Sequence, residues 1–165
     1  MKKIILATSV VLATCSAASF AATATANFNV TATVTGACYI SNTIADLAFG
    51  NIDVLDGTNT DSTTTFDVTC TSGDAFNIGL NEGSNSNAGQ NRMKLAGGTS
   101  YLNYNLYSDS ARNVAWGDTI GTNTVSGTGD GSAATYTVYG QVPSGQTGLL
   151  RGDYSDQVQV TVTYP

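Results

Sequence analysis

The chain has 165 residues, with 6 basic and 12 acidic side chains, no histidine, three cysteines and a net charge of −6. Without histidine it has no Ser-His-Asp or Cys-His nucleophile arrangement and no ordinary zinc site. Nucleic acid is excluded as a partner, because phosphate binding needs clustered bases.

The first residues, Met1-Lys2-Lys3, lead into an apolar run from Ile4 to Ala13 and then small residues up to Ser19-Phe20-Ala21-Ala22. This is the pattern of a secretory signal peptide over residues 1–22, cleaved after Ala21 or Ala22. The run is shorter than the ~20 residues that span a bilayer, and no later stretch is more apolar, so no membrane span is expected. Leu12-Ala13-Thr14-Cys15 has the outline of a lipoprotein cleavage box, which Thr14 fits poorly. Losing Lys2 and Lys3 leaves four basic residues, Arg92, Lys94, Arg112 and Arg151, against 12 acidic ones, and moves the net charge from −6 to −8. About 143 residues remain, enough for one domain with a core.

Cys15 leaves with the leader, so the exported chain keeps Cys38 and Cys70. Two cysteines in an oxidising compartment are expected to pair, the alternative being two separate buried thiols. The closed loop would contribute about 3–4 kcal/mol, mainly by restricting the unfolded state.

The mature chain opens on "ATANFNVTATV". Ala24, Ala26, Phe28, Val30, Ala32 and Val34 alternate strictly with Thr and Asn, the period of a strand with one face made for burial. Such a strand needs a sheet to lie against, yet it stands where chain ends are usually poorly ordered. Short strands follow near residues 38–40 and 47–49. Phe66, Val68 and Cys70 mark the next, then Phe76, Ile78 and Leu80, then "YLNYNLY" at 101–107. Tyr136, Val138 and Val142 mark another, and Val158, Val160, Val162 and Tyr164 the last. The stretches "NEGSNSNAGQN" and "GTNTVSGTGDGSAA" between them read as long exposed loops. No segment keeps a helical period, and the wealth of Thr, Val and Tyr favours strands. The chain is therefore expected to be an all-β sandwich of immunoglobulin-like type. A strand beside the last one is needed to cover the core edge, and none follows residue 165.

Little catalytic chemistry is on offer. Glu82 is the single glutamate, and aspartates such as Asp56-Gly57 and Asp130-Gly131 fall in turns, which turn geometry explains. Asp53, Asp56, Asn59 and Asp61 gather hard oxygen donors without the spacing of a calcium loop, so a solvated acidic turn is the reading. No phosphate-binding glycine loop occurs. Arg151-Gly152-Asp153 spells a tripeptide that some cell-surface receptors recognise, but three residues just before a strand are explained by a turn. Tyr101, Tyr104, Tyr107, Trp116, Tyr136 and Tyr139 could stack on sugars, although half of them fall on inward faces. No catalytic residue, metal or cofactor is expected.

Four segments carry a resemblance: "FDVTCTSGDAFNIGL", "LNYNLYSDSARNVAWGD", "VYGQVPSGQ" and "GDYSDQVQVTVTY". Together with Cys38, Phe49-Gly50, Arg92 and Gly140 in order, they resemble the spore coat protein U domain family, and more narrowly the major subunits of archaic, Csu-type chaperone-usher pili. The resemblance implies an incomplete immunoglobulin-like sandwich lacking its seventh strand. It also implies that each subunit fills its neighbour's open groove with an N-terminal extension, after a periplasmic chaperone has held that groove. Residues 23–35 would then be the donor extension, with Ala24, Ala26, Phe28, Val30, Ala32 and Val34 as its buried face. Residues 36–165 would be the pilin domain, with Cys38 and Cys70 matching the family's disulfide. Val158, Val160, Val162 and Tyr164 would form the groove-edge strand that first meets the chaperone.

The resulting expectation is a structural, non-enzymatic fimbrial subunit, exported through the periplasm to the cell surface. Its partners would be copies of itself, a chaperone and an outer-membrane usher, and its fibres would serve adhesion and biofilm growth. One domain suits a major subunit better than a tip adhesin. The rival is a free secreted β-sandwich, a coat or carbohydrate-binding protein that keeps residues 24–34 as its own first strand.

Overall fold

The computed structural model describes residues 20–41 and 43–165. Residues 1–19, which carry Cys15 and most of the leader expected over residues 1–22, lie outside the described residues. The chain divides into two units after Thr33. In the first, none of residues 20–33 lies in a helix or strand and all are exposed, Phe28 and Val30 at 85% each. Alternation supplies a strand with a face, but the ladder needs a partner edge to bond to.

The second unit is all-β, with no helix among its described residues. In chain order its strands are β1 (Cys38–Ile40), β2 (Thr60–Cys70), β3 (Ala75–Leu80), β4 (Arg92–Leu95), β5 (Tyr101–Asn103) and β6 (Asn105–Tyr107), then β7 (Val125–Thr128), β8 (Ala133–Val142), β9 (Tyr154–Ser155) and β10 (Val160–Thr163). They form an immunoglobulin-like sandwich. One sheet runs β1-β2-β8-β6; opposite it lie β10-β3-β7 and the small sheet β5-β4-β9.

The longest ladder joins β2 to β8, from Thr60↔Val142 to Thr69↔Ala133. β-Branched threonines suit this half-buried surface, and alternation sends Phe66, Val68 and Cys70 inward while Thr65 and Asp67 face out. On the outer face Thr135 donates to Asp67 at 2.6 Å, bonding residues that sit opposite each other. Inside, Phe76, Ile78 and Leu80 of β3 meet Val138 and Val142 of β8. Trp116 packs 6.1 Å from the Phe66 ring and donates its indole N–H to Ile78 O at 2.9 Å, so its polar edge is satisfied within the core. Cys38 and Cys70 face each other across β1 and β2 and are joined by a disulfide.

Three segments differ from what alternation suggests. "YLNYNLY" is two strands: β5 pairs with β4 and β6 pairs with β8, while Leu102, Tyr104 and Leu106 stay buried throughout. Inside the expected loop 121–134, Val125–Thr128 pairs with β3. One apolar residue among Ser, Gly and Thr shows no period, and Gly127 makes room there, since a Cβ on it would lie 2.5 Å from Phe76 Cζ. Residues 47–49 form no strand; Ser62 Oγ of β2 donates to Ala48 O instead.

Candidate functional site

β10 pairs with β3 on one side only, Val160 opposite Leu80 and Val162 opposite Ile78. In an antiparallel pair, backbone groups point alternately toward the partner and away. Asn81 donates its amide to Gln159 O at 3.1 Å, whereas Leu80 turns its amide to Gly117 O at 3.0 Å. Gln159, Thr161 and Thr163 therefore bond toward β3, and Val158, Val160 and Val162 present their N–H and C=O groups on the opposite edge.

The facing wall is residues 44–49. Thr64 Oγ1 donates to Ala45 O at 2.6 Å and Ser62 Oγ to Ala48 O at 2.7 Å, so hydroxyls of β2 take the place of a ladder. Leu47 and Phe49 lie over Gly140 of β8, where a Cβ would come within 2.7 and 2.9 Å of them. A larger residue at 140 would push this wall outward.

Between the two walls opens a groove of about 600 Å³, floored by Phe66, Leu80, Tyr104, Leu106 and Val138. These are core residues of the sandwich, and the groove reaches them from outside. Met93 and Tyr154 close it toward β4 and β9, and Asp156 stands on its rim. Tyr104 donates its phenol to Asp156 Oδ2 at 2.7 Å. Burial, reinforced by this carboxylate, pushes the Tyr104 phenol far above its usual range, so it stays protonated.

Of the residues expected at a groove edge, Val158 and Val160 line the groove, while Val162 packs against the core further along β10. Tyr164 lies beyond the strand and is 41% exposed. The apolar face of residues 24–34 is exposed. Not legible in the sequence were the wall at 44–49 and the Tyr104–Asp156 bond; Gly140, a small residue amid large alternating ones, was the available signal for the wall.

The other candidates resolve into structure. Asp53 and Asp56 accept from Leu55 N and Thr58 N within their own turns, and Asn59 accepts from Ser144 N. Asp61 pairs with Arg112 at 3.1 Å and accepts from Gln141, so these donors do not converge. Among the described residues no three acidic, histidine or cysteine side chains group as metal ligands. Arg151-Gly152-Asp153 is exposed, and its glycine has φ of 146° and packs on Leu95, which accounts for Gly152. The aromatic residues are dispersed: Tyr104 and Trp116 are buried, Tyr136 stacks on Phe66, and Tyr101 and Tyr139 lie under Arg92 and Arg112.

The spore coat protein U domain model matches residues 24–161. Protein U of Myxococcus xanthus is 38% identical over 157 residues, covering 87% of this chain and 87% of its own. Among solved structures, the chaperone–tip adhesion subunit pre-assembly complex CsuC–CsuE from archaic chaperone-usher Csu pili of Acinetobacter baumannii is similar. It superposes with a TM-score of 0.59 at 21% identity, over 79% of this chain and 40% of that one. The P pilus rod subunit PapA superposes with a TM-score of 0.52 at 15% identity, over 78% of this chain and 99% of that one. At these identities the two structures speak for the fold alone.

Proposed function

The chain belongs to the spore coat protein U domain family, and from that premise we propose that it is a structural subunit of a chaperone-usher pilus, polymerising by donor-strand exchange. The observation that carries this reading is the groove: core side chains open to a strand-sized gap, beside an edge strand whose Val158, Val160 and Val162 backbone groups face away from β3. The same chain holds an exposed segment with an apolar residue at every second position, the pattern that fills such a gap. A long exposed strand edge over an apolar cleft is an aggregation hazard unless it is covered.

In this reading residues 1–22 are the leader, 23–35 the donor extension and 36–165 the accepting domain. Ala24, Ala26, Phe28, Val30, Ala32 and Val34 of one copy enter the groove of the next. Burying Phe28 and Val30 would contribute roughly 1.5–3 kcal/mol each by transfer from water, with the alanines supplying shape. Donor and acceptor are different surfaces, so the contact is heterologous and propagates a filament. A periplasmic chaperone holds the groove before an outer-membrane usher exchanges it for the donor, and the fibres at the cell surface serve adhesion and biofilm growth. The role is mechanical, not catalytic.

An unboiled denaturing gel of surface material tests the reading. Cells expressing the intact chain should give an oligomer ladder, and cells expressing a chain without residues 24–34 should not. A single monomer band from the intact folded chain would overturn polymerisation and favour a free secreted coat or carbohydrate-binding sandwich.

A further inference from the structure

The groove wall just ahead of β10, residues 155–159, is held largely by polar groups of the 81–86 loop. Asp156 Oδ1 accepts from Asn85 N at 3.0 Å and Asn85 Nδ2 at 2.9 Å, and its Oδ2 accepts from Tyr104 OH at 2.7 Å. Ser84 N donates to Gln157 O at 3.1 Å, and Asn81 Oδ1 accepts from Gln159 N at 2.8 Å. Arg92, lying 4.3 Å over the Tyr101 ring, donates to Asn85 O at 3.0 Å and so fixes the loop itself. Gly83 (φ 82°) belongs to the same arrangement, since a side chain there would overlap the Asp156 carboxylate.

We propose that Asp156 is the positioning residue of the groove, its clasp with Tyr104 and Asn85 setting how firmly an inserted strand is retained. The inference rests on the donor-strand reading above. A carboxylate accepting three hydrogen bonds is a strong anchor, and both Tyr104 and Asp156 line the groove they shape. With the clasp intact, residues 156–158 stand in place before a strand arrives. Without it, insertion must order them, and that cost is taken from binding.

The test uses the exported full chain carrying Phe28→Asp and Val30→Asp, so that no copy donates its own segment, loaded with a fluorescein-labelled synthetic peptide of residues 24–34 and chased with unlabelled peptide. Tyr104→Phe, which keeps the buried ring, and Asp156→Asn should each speed release about tenfold, the scale of one charge-assisted hydrogen bond. Since the two act as one unit, the double variant should release little faster than the faster single one. Amide exchange at Val158 and Val160 should quicken while the β2–β8 ladder is unchanged. Should Asp156→Asn fail to fold, Tyr104→Phe and Asn85→Ala decide the matter. Wild-type release rates in these variants, or an equal rise in β2–β8 exchange, would overturn the proposal. A donation-blocked chain with the clasp intact that takes up no peptide at all would overturn the donor-strand reading itself.

Discussion

Val160 lies directly opposite Leu80 across β10 and β3, yet the two exchange no backbone hydrogen bond: the Leu80 amide goes to Gly117 O at 3.0 Å. Val160 therefore offers its own amide and carbonyl to the groove. A two-residue alternation thereby decides which half of β10 is committed to the sandwich and which half is available.

Amide exchange in the uncomplemented chain should follow that alternation. Thr161 and Thr163 should be protected and Val160 and Val162 should exchange quickly; adding the 24–34 peptide should slow the second pair. Uniform protection along β10 without peptide would contradict the assigned register.

Gly140→Ala should destabilise the domain. Its Cβ would meet Leu47 at 2.7 Å and Phe49 at 2.9 Å, and overpacking of this kind costs about 1–3 kcal/mol. Because the crowded atoms are the ends of side chains, Leu47→Ala in the same chain should recover part of the loss. Thermal melting of the single and double variants checks both statements.

High pH should expose the buried Tyr104. Burial first, then Asp156, raises its pKa in the folded state, so the folded chain holds this proton more tightly than the unfolded one. Its contribution is whole below the unfolded value of about 10 and is lost as the pH rises from there toward the folded value. Melting temperature should fall less steeply above about pH 10 in Tyr104→Phe than in the wild type. Parallel curves would contradict the assignment.

Replacing both Cys38 and Cys70 by serine should cost about 3–4 kcal/mol, the loop-closure value for their separation of 32 residues. Denaturant midpoints of the oxidised wild type and the double variant measure it.

The sequence made the core legible because burial follows period two: Phe66, Val68, Cys70, Phe76, Ile78 and Leu80 all alternate as they pack. Of the four residues that the resemblance put on a groove edge, Val158, Val160, Val162 and Tyr164, the first two line the groove. β7 was hidden because its pairing depends on the free side of β3 and on room beside Gly127, neither of which leaves a local pattern. The groove's second wall was hidden for a similar reason. Thr64 and Ser62 hold Ala45 and Ala48 through hydroxyls across 19 and 14 residues, and the Asp156 clasp closes over 52 and 71 residues. Side-chain bonds across such separations have no signature in a single chain read locally.

The most direct test places a photoreactive phenylalanine analogue at position 28 in assembled surface material made from a mixture of light and heavy-isotope chains. After irradiation, strand donation between copies should yield cross-linked peptides that join residue 28 of one isotope to residues 44–49 or 154–160 of the other. Adducts confined to a single isotope, or to segments outside the groove, would contradict strand donation between copies.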